Sequence, residues 1–292
     1  MNLFQIEIFI KVVDIGNFTK AGELLGMTQS GISHNISSLE SELGIVLLNR
    51  GRNGISLTDS GERIIRNMRN ILTEAESIKQ ETASILGIKK GKIRIGSFSS
   101  FSSKMIPTIM SSFRKEFKGI EIEFYEGSYE QITRWVEEGK VDIGFTSLNN
   151  STVSLDYIPL IKDRFVLIIP NDHRLKEYEQ IKVENIEGED FIMPRSGCEI
   201  SIQAYLKEQG VSPHVQLSAV DNQTIMAMVR EGLGVTIIPE LALANDSNDL
   251  TIKPLFPELS REIMLIIKPQ KTMPPVVRAF INTVKKSVKS FM

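Results

Sequence analysis

The stretch "NFTKAGELLGMTQSGISHNISSLESELG", Asn17 to Gly44, holds two amphipathic runs on either side of Gly26. In the second run Ile32, Ile36, Leu39 and Leu43 recur at spacings of four, three and four, so they share one face of a helix. The other face carries Thr28, Gln29, Ser30, Ser33, His34 and Ser37, short hydrogen-bonding groups where a solvated helix would carry Lys and Glu. In the first run Phe18, Ala21 and Leu25 point inward. Asn17 is a favoured helix cap, and Gly26 accepts the left-handed conformation that ends a helix. Two short helices joined by a tight glycine-containing turn form a helix-turn-helix. Its second helix lies in the DNA major groove with its N-terminal residues at base edges. Long charged side chains would hold that helix off the groove floor, whereas Gln29, Ser30, Ser33 and His34 can reach it. Gln bonds bidentately to adenine, and Ser pairs with several bases.

Upstream, Ile6, Phe9 and Val13 form a further apolar helix face. Downstream, "IVLLNRGRNGISLTDSG" reads as two short strands, Ile45–Asn49 and Ile55–Thr58, around the turn "GRNG". This hairpin wing carries Arg50 and Arg52, placed to contact phosphates and so to position the protein without reading sequence. Thr58 closes the wing among the DNA-facing residues, and Thr58 or Asp59 is the candidate cap of the next helix.

The segment resembles the winged helix-turn-helix of LysR-type transcriptional regulators. Phe18, Ala21, Leu24, Gln29, Ser33, Ile36, Leu39, Glu40, Leu43, Gly44, Leu47, Arg50, Leu57, Thr58 and Gly61 all fall on that family's spaced pattern. The chain departs from it at Gly22, where a second alanine is usual, at Ser30-Gly31 after Gln29, at His34, often arginine, and at Leu48, often phenylalanine. Gly31 in the first turn of the helix costs about 1 kcal/mol in helix propensity relative to alanine. The resemblance implies a homodimer or homotetramer on double-stranded promoter DNA, a small-molecule effector, and RNA polymerase as a further partner it allows.

Charge limits what one subunit can do. Net charge is −2, and residues 1–90 hold ten basic and ten acidic side chains. Phosphate neutralisation supplies most non-specific affinity, so a lone reading head binds weakly and several must act together. From Asp59 onward Ile64, Met68, Ile71, Ala75, Ile78, Thr82 and Ile85 alternate spacings of four and three, the heptad of a coiled coil. The same stripe would also suit a helix packed on its own domain. In the family this segment is the linker helix that pairs two subunits.

"GIKKGKIRIG" breaks the helix at Gly87 and Gly91 and starts a strand at Ile93. Beyond it, strand candidates at Lys92–Gly96, Ile120–Tyr125, Val141–Phe145, Phe165–Ile169, Phe191–Met193, Val215–Ala219, Val235–Ile238 and Ile263–Lys268 alternate with helical stretches. Those stretches are Ser103–Phe117, Tyr129–Glu138, Ile200–Gln209, Asn222–Glu231 and Pro275–Ser290, an α/β pattern. The fold class is multidomain. A mainly α winged helix-turn-helix (1–58) precedes a long linker helix (59–90) and a C-terminal α/β domain (91–292). In the family that domain is similar to a periplasmic binding protein, with subdomain I at 91–161 and 269–292 and subdomain II at 162–268.

Ligands of open α/β sheets bind at the carboxyl ends of strands. There the chain carries Ser97, Ser99, Ser100, Ser102 and Ser103 in "GSFSSFSSK", Thr146 after "VDIGF", Arg195 and Ser196 after "FIMP", and Asn222 and Thr224 after "VQLSAV". Serines before helices also serve as plain caps, so the case rests on convergence from four strand ends. A small carboxylate or similar anion is the expected effector, with Arg195 its partner unless Arg195 pairs with Glu199 or lies in solvent.

Several classes are disfavoured. The single cysteine, Cys198, excludes an intramolecular disulfide framework and fits a reducing compartment. It is either a bystander near the pocket or a redox sensor lacking a resolving partner. The N-terminus lacks a signal-peptide pattern, and no run of about 18 apolar residues exists, so a cytoplasmic protein with no membrane contact is expected. His34, His173 and His214 show no zinc-ligand spacing, no Walker loop is present, and "GSFSS" departs from the nucleophile elbow at Ser100. No metal, cofactor or catalytic residue is expected. The rival reading is a small-molecule-binding protein, or an enzyme on the same two-lobe cleft, whose N-terminal helices serve only for oligomerisation.

Overall fold

The computed structural model describes residues 1–51, 54–85, 90–147, 155–195, 197–243, 249–269 and 273–291. Helices α1 (Leu3–Ile15), α2 (Phe18–Leu25) and α3 (Gln29–Leu43) start on side-chain caps from Asn2, Asn17 and Thr28. They end on the left-handed glycines Gly16, Gly26 and Gly44. Their apolar faces meet in one cluster where Ile8, Phe9, Val12, Ala21, Ile32, Ile36 and Leu39 are fully buried. Leu25 packs on this cluster, while Leu24, the leucine matched to the family pattern, is 66% exposed because it falls one step off the buried face. The wing is β1 (Leu48–Gly51) against antiparallel β2 (Gly54–Leu57). Its first strand begins three residues later than expected, because Glu40 Oε1 takes the N–H groups of Leu47 (2.7 Å) and Leu48 (3.2 Å).

Thr58 Oγ1 accepts the Gly61 N–H (3.0 Å) at the start of α4 (Asp59–Ile85). A Cβ on Gly61 would lie 2.3 Å from the Leu47 carbonyl, so wing and helix approach too closely for a side chain there. The heptad stripe of α4 divides. Met68 is buried against the head, whereas Ile78 and Ile85 are exposed at 68% and 78%. Beyond the head, α4 lies along the C-terminal region through polar bonds. Asn70 Oδ1 accepts from Lys268 Nζ (2.8 Å), Thr73 Oγ1 from Arg94 Nη2 (3.2 Å), and Gln80 Nε2 donates to the Lys92 carbonyl (3.0 Å).

The first lobe contains β3 (Lys90–Ser97), α5 (Ser99–Lys104), α6 (Ile106–Glu116), β4 (Gly119–Glu126), α7 (Tyr129–Glu138) and β5 (Ile143–Thr146). The expected single helix Ser103–Phe117 is two helices broken at Met105, where Pro107 cannot donate to a continuing helix. Strand β6 (Asp156–Pro170) starts nine residues before the strand expected at Phe165, and it traverses both lobes. Its first part pairs with β12 (Ser260–Ile267), and its last part pairs with β10 (Thr236–Pro239) and β11 (Leu250–Phe256). Strand β12, expected in the second lobe, hydrogen-bonds to β5 and to the first part of β6, so the chain re-enters the first lobe at Ser260 rather than after Lys268. The first-lobe order is β4-β3-β5-β12-β6. Helix α10 (Pro275–Phe291) returns to this lobe, with Phe280 edge-on to Phe113 at 5.0 Å.

The second lobe adds β7 (Ile181–Lys182), β8 (Asp190–Pro194), α8 (Glu199–Glu208), β9 (His214–Ala219) and α9 (Asn222–Arg230). Strands β8 and β9 are parallel, and Val235 joins β8 to the strand leading into β10. Strands β7 and β11 lie outside the sequence expectation, since "IK" is too short and "LTIKPLF" is interrupted by Lys253 and Pro254.

Candidate functional site: DNA-reading face and interlobe cleft

The first turn of α3 projects its polar groups outward. Thr28, Gln29, Ser30, His34 and Ser37 are exposed and Ser33 is half-buried, while Ile32, Ile36 and Leu39 on the opposite side are buried. Thr28 Oγ1 accepts the Gly31 N–H (3.1 Å) and bonds to Ser30 Oγ (3.0 Å), so the helix start is fixed by its own hydroxyls. Arg50 of the wing reaches back across this face. Its Nη1 donates to Ser33 Oγ (3.0 Å), and its guanidinium lies 4.8 Å from the centre of the Phe18 ring. The wing arginine is therefore held beside α3 by both helices of the motif. Thr58 is committed to structure, donating to the Val46 carbonyl (2.7 Å) while it caps α4. Arg52 lies outside the described residues.

The second group of residues lines the strand ends where the lobes face each other. Ser97 ends β3 and Thr146 ends β5, and the register pairs Gly96 with Gly144, so these two fully buried residues occupy neighbouring strand ends. Ser100 and Ser102 are buried on α5, and Ser99 is exposed. The buried Oγ of Ser102 has no hydrogen-bond partner, nor has Oδ1 of the buried Asn222 at the start of α9. On the second lobe, Arg195 is exposed at the end of β8, its N–H bonded to the Ala219 carbonyl (2.8 Å). Glu199, the alternative partner for Arg195, accepts instead from the Gly197 N–H (2.8 Å). Ser196 lies outside the described residues. Gly197 has φ +98° and backs onto the Tyr129 ring, where a Cβ would lie 3.1 Å from Cδ2, so the two lobes touch there. Cys198 beside it is 2% exposed.

Three further residues bind this junction together. Arg261 on β12 is 8% exposed. Its Nε (2.9 Å) and Nη2 (2.7 Å) both donate to Asp163 Oδ2, Nη2 also donates to Ser100 Oγ (2.8 Å), and Nη1 donates to the Tyr129 hydroxyl. Asp163 Oδ1 accepts the Leu241 N–H (3.2 Å), from the turn that follows β10. Burial raises the Asp163 carboxyl pKa against the opposing pull of Arg261, and burial pushes the Tyr129 hydroxyl up to about 12. None of the three residues was among the candidates from sequence. The usable signal was period two: Arg261 shares a strand face with the buried Ile263 and Leu265, and Asp163 shares one with the buried Ile161. A charge on the inward face of an apolar strand requires a partner.

Residues 3–62 match the family described as "Bacterial regulatory helix-turn-helix protein, lysR family", and residues 87–289 match "LysR substrate binding domain". The chain belongs to the LysR family of transcriptional regulators. This LysR regulator is 30% identical to the uncharacterized HTH-type transcriptional regulator YvbU of Bacillus subtilis, over 98% of each chain. Its fold is similar to that of a full-length OxyR variant from Pseudomonas aeruginosa, with a TM-score of 0.78 and 20% identity over 99% of this chain and 95% of that one. Its C-terminal part is similar to the regulatory domain of CcmR from Synechocystis in complex with 2-PG, with a TM-score of 0.63 and 21% identity over 68% of this chain and 97% of that one. The LysR regulator thus joins a DNA-binding head to an effector-binding domain. No helix among its described residues is long and apolar enough to cross a membrane.

Proposed function

We propose that this regulator reads promoter DNA through the first turn of α3, as a homodimer or homotetramer paired along residues 59–90, and that residues 91–292 sense a small anionic effector. The observation that carries the reading is the outward face of α3, where Gln29, Ser30 and His34 are exposed while Arg50 is braced on Ser33. Gln29 and its neighbours read base edges, and Arg50 fixes the register on phosphate. The exposed Ile71, Ile78 and Ile85 supply the pairing stripe, which brings several heads to one site despite the neutral charge of each.

The effector lies between the lobes, against Ser97, Ser100, Ser102 and Thr146 on one side and Arg195 and Asn222 on the other. Helix α5 is only six residues long and offers a weak dipole. The preference for an anion therefore rests on the buried guanidinium of Arg261 and on Arg195. The 2-PG complex of CcmR supports a small ligand in a domain of this fold. The effector shifts the spacing of the heads only through a difference in its affinity for the two arrangements. The protein acts in the cytoplasm as a binding protein rather than an enzyme, and the bent promoter it holds is presented to RNA polymerase. Gel retardation on the gene's own upstream DNA at rising salt is the test, with native mass spectrometry to identify co-purifying small molecules. Retention of scrambled and upstream DNA at the same salt would count against sequence reading. Turnover of a co-purifying molecule would count against the binding role.

A further inference from the structure

The junction beneath the cleft contains an ion pair whose geometry is poor for what it is made of. A guanidinium and a carboxylate pair best through two parallel N–H···O bonds to the two carboxylate oxygens. Here Nε and Nη2 of Arg261 both converge on one oxygen, Oδ2 of Asp163, because Oδ1 is held by the Leu241 N–H. Arg261 also donates to Ser100 Oγ, on the proposed effector face, and to the Tyr129 hydroxyl. The guanidinium plane is flanked by Phe98 at 4.9 Å and Phe165 at 5.9 Å from their ring centres. Aromatic faces, a carboxylate and two hydroxyls thus surround one buried guanidinium.

We infer that Asp163 is a tethered stand-in for the effector's carboxylate: an incoming carboxylate takes its place on Arg261, and the Asp163–Arg261 bond is lost. This deepens the reading of the interlobe cleft as the effector site and rests on it. Exchange replaces one carboxylate by another, so Arg261 is never left as a bare buried charge, which would cost several kcal/mol. A free carboxylate gains the second parallel bond that Asp163 cannot make. The displaced Asp163 keeps the Leu241 N–H, and burial beside Glu240 favours its protonated form there.

The consequence for the lobes follows from the connectivity. Asp163 and Arg261 face each other in register on β6 and β12, next to the points where both chain segments cross between the lobes. Leu241 belongs to the turn after β10, and its side chain is buried in the first-lobe core. Breaking the Arg261–Asp163 bond therefore removes the hydrogen-bonded link from that turn to the Ser100 and Tyr129 hydroxyls, while the packing of Leu241 stays. Tyr129 in turn backs onto Gly197 of the second lobe. Effector entry acts on both lobe contacts through one side chain.

The test uses the full chain and sodium acetate and sodium formate as probes, with sodium chloride at equal ionic strength as control. Thermal stability is followed as a function of probe concentration for the wild type, Asp163→Asn, Arg261→Gln and the double variant. With the tethered carboxylate neutralised, Asp163→Asn is expected to be stabilised by acetate or formate at a concentration at least tenfold lower than the wild type needs. Arg261→Gln and the double variant should show no response beyond chloride. Equal response of wild type and Asp163→Asn, or a response that survives Arg261→Gln, overturns the inference. Should Asp163→Asn fail to fold, the Arg261 Nε–H resonance of 15N-arginine-labelled wild type, assigned with Arg261→Lys, decides. A saturable shift with formate and none with chloride supports exchange, and an unchanged signal refutes it. The cleft reading is separately tested by Ser100→Ala and Thr146→Val. A co-purifying molecule that binds these variants as it binds wild type defeats the cleft as effector site. Loss of binding there, without any gain in Asp163→Asn, defeats only the exchange.

Discussion

The reading head and the interlobe cleft are stabilised on different scales of chain separation. In the head Thr28 caps Gly31 three residues away, Glu40 holds Leu47 seven away, and Ser33 meets Arg50 seventeen away. In the cleft Arg261 reaches Asp163 across 98 residues, Tyr129 across 132 and Ser100 across 161. The head is a local construction whose surface can be altered one side chain at a time. The cleft is a junction where one guanidinium serves four elements, so a change there propagates into packing. The contrast teaches that the two halves of the regulator should fail in different ways.

The largest expected effect is at the junction. Arg261→Ala leaves Asp163 buried without its counter-charge, and urea denaturation should show a loss of about 3–5 kcal/mol. Replacing both members with Asp163→Leu and Arg261→Met should recover most of that loss, since an apolar pair leaves no bare charge. If the double variant is no more stable than Arg261→Ala, the bond to Leu241 matters more than the pair.

Changes in the head should leave the fold nearly intact and alter DNA discrimination. Gln29→Ala is expected to lower the preference for the upstream site over scrambled DNA by about 1–3 kcal/mol. Arg50→Ala should weaken both DNAs alike and reduce the salt slope by about one unit. Because Arg50 also braces Ser33, a selective loss on the upstream site alone would show that the brace dominates the phosphate contact. A smaller effect is expected at the cap. Thr28→Ala should cost about 1 kcal/mol of thermal stability, and Thr28→Ser should restore it.

A pH-dependent effect is expected beside α4, where Lys268 bonds to Asn70. Burial, with Arg66, Arg69 and Arg94 nearby and Glu138 opposing, holds Lys268 down to about 8 from its ordinary 10.5. Between about pH 8 and 10.5 the unfolded chain keeps a proton that the folded chain has released, so stability from this group rises with pH across that window. Below about pH 8 the full penalty applies. Lys268→Gln should flatten this slope when denaturation midpoints of the two proteins are compared at pH 7.5 and pH 10. Parallel curves would mean that the bond to Asn70 keeps the lysine charged throughout.

The same difference of scale governs what could be read in advance. The cap Asn17, the glycine stop Gly26 and the inward face of Ile32, Ile36 and Leu39 were legible because each depends on neighbours within a few residues. The placement of Ser97 and Thr146 at strand ends was legible because strand ends can be located from apolar runs. The inward Leu25 and the outward Leu24 were separable because adjacent positions on a helix face different sides of the cylinder. Strand β11 and the first half of β6 were missed because Pro159, Lys162, Lys253 and Pro254 interrupt their runs, and only pairing with a distant neighbour makes them strands.

The amino-acid sequence by itself determined the helix-turn-helix, the cap and glycine stop of α2, the wing and the family, because helix periodicity and turn chemistry act between residues close in the chain. Only the tertiary structure decided that β12 returns to the first lobe and that Arg261, Asp163 and Tyr129 bond to one another. That decision belongs to the buried charge. A guanidinium taken out of water must find its acceptors wherever the fold brings them, and no local pattern records which distant residues those will be.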